Sequence, residues 1–226
     1  YTIKNITIDS REGNILDNDQ KKFKNIRNWR RSEVLKDFKF YVISLNMLAM
    51  PWIVTGIFIY QSFISESKLW GSYIIPQSFM IYSITSILTL IASGFLVDRF
   101  TSRKLIPFMN LPLLCGLIVL YFFNISYSAY LFFGLMGVSN GLANVLGSST
   151  WAEIYGVRYL GAIRALTTAF MVFSTAFGTA LFGLLIDNGY TIEQIALISI
   201  LYISLSLSFL LAIKGSVEPI NLTKKT

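Results

Sequence analysis

Residues 73–97, YIIPQSFMIYSITSILTLIASGFLV, run for 25 positions without a charged side chain, and Asp98 and Arg99 follow them directly. An α-helix rises about 1.5 Å per residue, so about 20 apolar residues cross a hydrocarbon core about 30 Å thick. A strand of a membrane barrel needs only about ten residues, which makes this stretch too long for one. The stretch therefore predicts a membrane-spanning α-helix.

Five further apolar stretches have the length of a membrane-spanning helix. The six predicted spans have 19 to 26 residues each and lie at residues 40–61, 73–97, 105–123, 127–152, 162–186 and 192–213. Only 14% of the chain is charged, whereas soluble domains have about 25%. The sequence therefore predicts an all-α membrane protein in which residues 40–213 form one bundle of six transmembrane helices.

The two ends of the chain are hydrophilic. We interpret residues 1–39 as a cytoplasmic linker and residues 214–226 as a cytoplasmic tail. Within the linker, WRRSEVLKDFK at residues 29–39 predicts a short interfacial helix with Ser32 as its N-cap and apolar side chains on the membrane surface.

The basic residues are divided unequally between the two sides of the predicted bundle. Of the 19 Lys and Arg residues, only Lys68 falls in a loop on the side opposite the termini. The positive-inside rule then predicts that both termini are cytoplasmic, in a protein integral to the plasma (inner) membrane. It also accounts for the net charge of +7 with membrane lipid as the partner and without nucleic acid.

The residue types also limit the possible chemistry. The chain has no histidine, one cysteine, Cys115, and no charged residue near the middle of any predicted span. A metalloenzyme would need His or paired carboxylates within the spans, and a serine enzyme would need a general base. We therefore expect no enzyme, no metal site and no cofactor. Any ionisable group that binds and releases protons within the membrane would therefore have to lie outside this chain.

The most specific motif joins the second and third predicted spans, GFLVDRFTSRK at residues 94–104. It resembles the loop signature G-x-L-x-D-R-x-G-R-R of the major facilitator superfamily, which recurs in each half of those transporters. Gly94 would let two helices approach closely. The motif departs from the signature at Thr101, where glycine is usual.

A second motif joins the fourth and fifth predicted spans on the same side, WAEIYGVRYLGAIR at residues 151–164. It resembles the equivalent loop of a bacterial branch near the monocarboxylate and oxalate/formate porters. With the first motif, it predicts a gate network of charges at the cytoplasmic mouth, which would open and close with the transport cycle. The members of this gate network are Gly94, Asp98, Arg99, Arg103, Glu153 and Arg164.

The resemblance covers residues 29–213 and implies a half-transporter. Twelve helices form two six-helix bundles in that superfamily, and this chain would supply the second bundle while an N-terminal half is missing. The implied function is secondary active transport of a small-molecule substrate by alternating access, with a small organic anion as the first candidate. The alternative is a self-contained six-helix carrier or channel that works as a homodimer.

Polar side chains on the first and fourth spans are the candidates for the substrate cavity. Asn140 and Asn144 are four residues apart and so share one helical face. Such groups are costly in a bilayer and are often functional, although many only join helices. The candidates are Asn46, Trp52, Thr55, Tyr60, Gln61, Asn140, Asn144 and Ser148.

Small residues four apart recur on the fourth and fifth predicted spans. Gly137 with Gly141, and Ser174 with Gly178, predict places where two helices pack closely.

Overall fold

The structure is a computed structural model that describes residues 27–213. This part of the chain consists of nine α-helices and one 3₁₀ turn and contains no strand. The helices are α1 (Arg31–Val34), α2 (Phe38–Ile59), α3 (Gln61–Ser67), α4 (Ile74–Phe100), α5 (Ser102–Leu105), α6 (Leu111–Phe122), α7 (Ser126–Tyr155), α8 (Leu160–Asp187) and α9 (Ile192–Ile213), with the 3₁₀ turn at Ile106–Phe108 between α5 and α6. Residues 1–26 of the predicted linker and the predicted tail lie outside the described residues.

Six helical segments within the described residues are long and apolar enough to cross a membrane, which confirms the predicted all-α membrane fold. The third segment, Ser102–Phe122, is interrupted by the 3₁₀ turn. Pro107 lies in that turn and Pro112 in the first turn of α6, and proline has no N–H for a helical hydrogen bond. At the basic end α4, α7 and α8 extend two or three residues beyond the predicted spans, to Phe100, to Tyr155 and from Leu160, whereas α2 ends at Ile59, before the predicted residue 61.

The packing of the six spans repeats itself. Helix α4 packs along α7, and α8 packs along α2. Helix α6 packs on α7, α9 packs on α2, and α6 and α9 pack on each other. Exchanging the first three spans for the last three maps the first pair onto the second, the third onto the fourth, and the pair of α6 and α9 onto itself. Since successive spans run in opposite directions, the bundle has the packing of two inverted three-helix repeats.

Glycines allow the closest of these helix pairs, as the small-residue spacing predicted. A Cβ atom on Gly178 of α8 would lie 2.7 Å from the Cα of Trp52 on α2. A Cβ atom on Gly141 of α7 would lie 2.7 Å from the carbonyl oxygen of Ser86 on α4. In both pairs the two helix backbones are therefore in direct contact, and a residue larger than glycine would not fit there.

The connections between the spans gather at two opposite ends of the bundle. The basic end comprises residues 27–37, the connection between α4 and α5, and the connection between α7 and α8. The far end comprises the turns at residues 60–73, 123–126 and 188–191. Every described Lys and Arg lies towards the basic end except Lys68.

The first helix differs from its prediction in length. It covers Arg31–Val34, not residues 29–39, and its N-cap is Arg30, not Ser32. The carboxylate of Glu33 accepts a hydrogen bond from the backbone N–H of Arg30 at 2.8 Å, so an acidic side chain at the third position performs the capping. This backbone bond, together with the nearby charge of Arg27, lowers the pKa of Glu33.

The segment around α1 is docked on the bundle. Val34 is fully buried and packs with Tyr155 at the end of α7, not on a membrane surface. The backbone N–H of Trp29 donates to the carbonyl of Tyr155 at 3.0 Å. The Tyr155 hydroxyl donates to Asp37, whose carboxylate also caps α2. These bonds hold the chain ahead of the first span against the connection between α7 and α8.

Candidate functional site

A cavity of about 410 Å³ lies between α2, α7 and α8. Along α7 and α8 its lining runs from Asn140 to Trp151 and from Arg164 to Met171, which are the parts of these helices nearer the basic end. Further towards the far end, α2 and α8 are in close contact, since Gly178 meets Trp52 there. The cavity therefore follows the basic-end parts of α7 and α8, whereas on α2 its lining runs over most of the helix, from Ser44 to Phe58.

Four of the predicted substrate-cavity residues lie together along this cavity. Thr55 of α2 lines one wall, and Asn140, Asn144 and Ser148 of α7 line the facing wall. Their spacing of four residues places the three α7 side chains on one face of the helix. The Asn140 amide donates to Ser86 Oγ at 2.8 Å and so joins α7 to α4. The Asn144 amide donates to the Asn140 carbonyl at 2.9 Å, and Asn144 is exposed.

Asn46 is placed elsewhere, in a polar contact inside the bundle. It is fully buried between α2, α6 and α9. The Asn110 amide donates to the backbone carbonyl of Asn46 at 2.6 Å, and the Ser206 hydroxyl lies 3.5 Å from the Asn46 side-chain oxygen. Asn46 therefore joins helices, the alternative role for a polar residue within a span.

Three further predicted cavity residues also lie away from the cavity. Trp52 is buried and packs edge-on against Phe182 and Tyr202. The Tyr60 hydroxyl donates to the carbonyl of Thr179 at 3.3 Å. Gln61 begins α3 and lines an open groove at the far end. Trp52 and Tyr60 thus hold α2 against α8 and α9, on a side of α2 that does not line the cavity.

The sequence interpretation missed the polar face that α8 contributes. Arg164, Thr167, Thr168 and Met171 line the cavity, and their spacing of three to four residues is the signal for one helical face. Ser44 of α2 also lines the cavity. The cavity candidates predicted from the sequence lie only on the first and fourth spans, so they do not include this face of α8.

Most of the cavity wall is apolar and adaptable. Met47, Met50, Met109 and Met171 contribute to it together with several aliphatic and aromatic side chains. Methionine has three rotatable bonds and a polarisable sulfur, so its side chain adapts to irregular shapes. The site thus combines an adaptable apolar wall with amide, hydroxyl and guanidinium groups.

Glu153 forms the centre of a polar contact at the basic end. Its carboxylate accepts hydrogen bonds from the backbone N–H groups of Ser102 at 3.0 Å and Arg103 at 3.3 Å. The Arg103 guanidinium lies 3.5 Å from the same carboxylate. An acidic group at the start of α5 suits the partial positive charge of a helix N-terminus. Glu153 therefore fastens the connection between α4 and α5 to the end of α7.

The other members of the predicted gate network do not join this contact. Asp98 and Arg99 are exposed, and neither forms an ion pair with another residue of 27–213. Arg164 faces the cavity instead of Glu153. A Cβ atom on Gly94 would meet nothing within 4 Å, so Gly94 allows no close helix contact within this bundle. The five-charge network is thus reduced to the pair of Arg103 and Glu153 in this conformation.

No family model matches the sequence, and a search of curated proteins finds no match.

Proposed function

We propose that this chain is one half of a secondary transporter of the major facilitator superfamily and carries a small solute by alternating access. The observation that carries the proposal is the cavity between α2, α7 and α8, which places Asn140, Asn144, Ser148 and Arg164 on a largely apolar wall. Small-molecule sites have this composition, with a few polar groups that orient the ligand in an apolar pocket.

Two features of the fold support the proposal. Inverted three-helix repeats are a common plan in secondary transporters, in which the substrate lies near the repeat interface. Here α2 and α7 are the equivalent helices of the two repeats, and both line the cavity. In addition, the two loops that resemble the superfamily meet at the basic end through Glu153 and Arg103.

A transporter half needs a second bundle, and two helices are available to contact it. Only 6% of the apolar window of α4 and 22% of that of α8 is buried, compared with 67% for α2. We propose that the N-terminal half of the same protein covers part of α4 and α8, with lipid on the remainder. A second copy of this chain, as in a homodimeric carrier, is the alternative occupant.

The reading frame upstream of Tyr1 tests the nature of the second bundle. We expect six further hydrophobic spans there, with another loop of the G-x-L-x-D-R-x-G type after the second. A start codon close to Tyr1 would contradict this expectation, and the homodimeric carrier would then be the better description.

The charge distribution supports an orientation. We propose that the basic end faces the cytoplasm of a plasma (inner) membrane, because ten of the eleven described Lys and Arg residues lie towards it.

The solute class that we propose is a small organic anion. Arg164 is the cationic side chain of the cavity lining, and that lining contains no carboxylate. A guanidinium presents several N–H donors that match the geometry of a carboxylate. The methionine-rich wall would accommodate the apolar part of such a molecule.

The test uses the full-length protein in proteoliposomes. Thermal stability is first measured with short monocarboxylates, dicarboxylates, neutral sugars and amines, and uptake is then measured for each compound that stabilises the protein. Arg164→Gln should lower the uptake of an anion at least about tenfold, the effect of losing one charge-assisted contact of about 1.4 kcal/mol.

Arg158→Gln is the matched control, since Arg158 lies in the connection just before α8, at the same end of the bundle, but outside the cavity lining. Equal effects of the two substitutions would contradict a substrate-binding role for Arg164. Uptake of sugars or amines alone would reject the anion and leave the transport proposal standing. If the protein transports none of the four classes in either direction, both the proposed anion and the proposed transport function are contradicted.

A further inference from the structure

Lys68 is a basic residue in an unexpected place. It lies at the far end, where the described part of the chain has no other Lys or Arg, and its side chain is completely buried. An isolated buried ammonium is strongly unfavourable, so it requires an anionic or strongly polar partner. Lys68 has both, since its Nζ lies 2.7 Å from Glu193 Oε1 and donates to Asn124 Oδ1 at 2.7 Å.

The three residues of this contact come from the three far-end connections. Lys68 follows α3 in the connection between the first and second spans. Asn124 lies in the connection between α6 and α7, and Glu193 lies in the first turn of α9, just after the connection between α8 and α9. One ammonium group thus joins segments that are 56 and 125 positions away along the chain.

A second contact strengthens the same junction. The indole N–H of Trp70 donates to the backbone carbonyl of Asn124 at 3.2 Å. Lys68 and Trp70 therefore bind the two different oxygens of one asparagine, and both side chains are buried.

The residue between these two anchors has an unusual backbone. Leu69 has a φ of +53°, and 91% of its side chain area is exposed. Residues with a Cβ atom enter this left-handed region at a cost of about 1 kcal/mol or more. The turn adopts it so that both Lys68 and Trp70 reach inward, and such strain persists only where the surrounding contacts impose it.

We propose that the contacts of Lys68 with Glu193 and Asn124 hold the three far-end connections together as one unit, and we call these contacts the interlock. The far end of the bundle would then move as a single block. The interlock depends on neither the identity of the solute nor the transport activity of the protein.

Hydrogen–deuterium exchange of the full-length protein in lipid nanodiscs tests the interlock. In Lys68→Met, the backbone amides of all three connections, at residues 65–72, 123–126 and 188–194, should exchange at least about tenfold faster than in the unaltered protein. Glu66→Gln is the matched control, because Glu66 is an exposed acid of the same end and takes part in none of these contacts. It should leave the three segments unchanged.

Lys68→Met alone leaves the partly exposed Glu193 carboxylate without its cation, which lowers stability independently of the junction. The double variant Lys68→Met/Glu193→Gln removes both charges and should recover thermal stability. Exchange in all three connections should remain fast in the double variant, because the junction is still lost. Faster exchange confined to residues 65–72, in either variant, would overturn the proposal.

Discussion

Glu153 shows how one side chain can organise a connection at the basic end. Its carboxylate accepts two backbone hydrogen bonds at the start of α5 and pairs with Arg103. It is 5% exposed, so these bonds are shielded from water and retain more of their strength. The first loop motif, which resembles a transporter signature, is therefore held in place by a residue of the second motif.

Glu153→Gln should destabilise the protein by about 1–3 kcal/mol, because it removes the charge from three contacts at once. The measurement is the thermal unfolding midpoint of the purified protein in detergent. Asp98→Asn is the control, since Asp98 is an exposed carboxylate of the same end. Equal midpoints for the two variants would show that Glu153 is not structurally important.

Leu69→Gly should leave the stability unchanged or raise it slightly. Glycine enters the left-handed region without strain, and this gain offsets its larger loss of backbone freedom on folding. Leu88→Gly is a suitable comparison, because Leu88 is also exposed but lies inside α4. It should cost about 1 kcal/mol in helix stability. A larger loss for Leu69→Gly than for Leu88→Gly would contradict the strain at position 69.

At the scale of helices, backbone contact determines how α2 and α8 are paired. Gly178 lies against the backbone of Trp52, and a few residues further on Gly56 lies against the ring of Phe182. The repeat relation makes this pair equivalent to that of α4 and α7, which has Gly137 and Gly141 at its contact. Both of these equivalent pairs, each of which joins one repeat to the other, therefore use glycine.

Gly178→Ala should lower the unfolding midpoint clearly, because its new methyl group would overlap backbone atoms that cannot move aside. Gly161→Ala lies on the same helix, and its Cβ would meet nothing within 4 Å. That variant should be neutral or more stable by about 0.5–1 kcal/mol. If both variants behaved alike, the close approach of α2 and α8 would be wrong.

The sequence predicted the spans well because long apolar stretches have few alternative structures. It also predicted the α7 side of the cavity, since Asn140, Asn144 and Ser148 recur at helical spacing. It could not distinguish Asn46 from these residues, because whether a polar group faces a cavity or another helix depends on the neighbours in three dimensions. The contact of Lys68 with Glu193 was equally hidden, as the two residues are far apart in the sequence and only the fold brings them together.

On the scale of the whole molecule, the two ends of the bundle differ in construction. The far end is joined by an ion pair between the buried Lys68 and the partly exposed Glu193. The basic end is joined by the contacts of Glu153 and by the docked segment around α1. Between the two ends, the cavity follows most of α2 and the basic-end parts of α7 and α8.

The proposed function requires that the cavity wall face a water-filled solute pathway. Cysteine accessibility tests this requirement without knowledge of the solute. In a Cys115→Ser background, Asn144→Cys and Ser148→Cys are treated with a charged, membrane-impermeant thiol reagent in proteoliposomes opened to both sides. Leu201→Cys is the control, because Leu201 is exposed on the outer surface of α9 and should face lipid. We predict rapid labelling at positions 144 and 148 and none at position 201. Equal resistance of all three positions to the reagent would contradict a solute pathway along this wall.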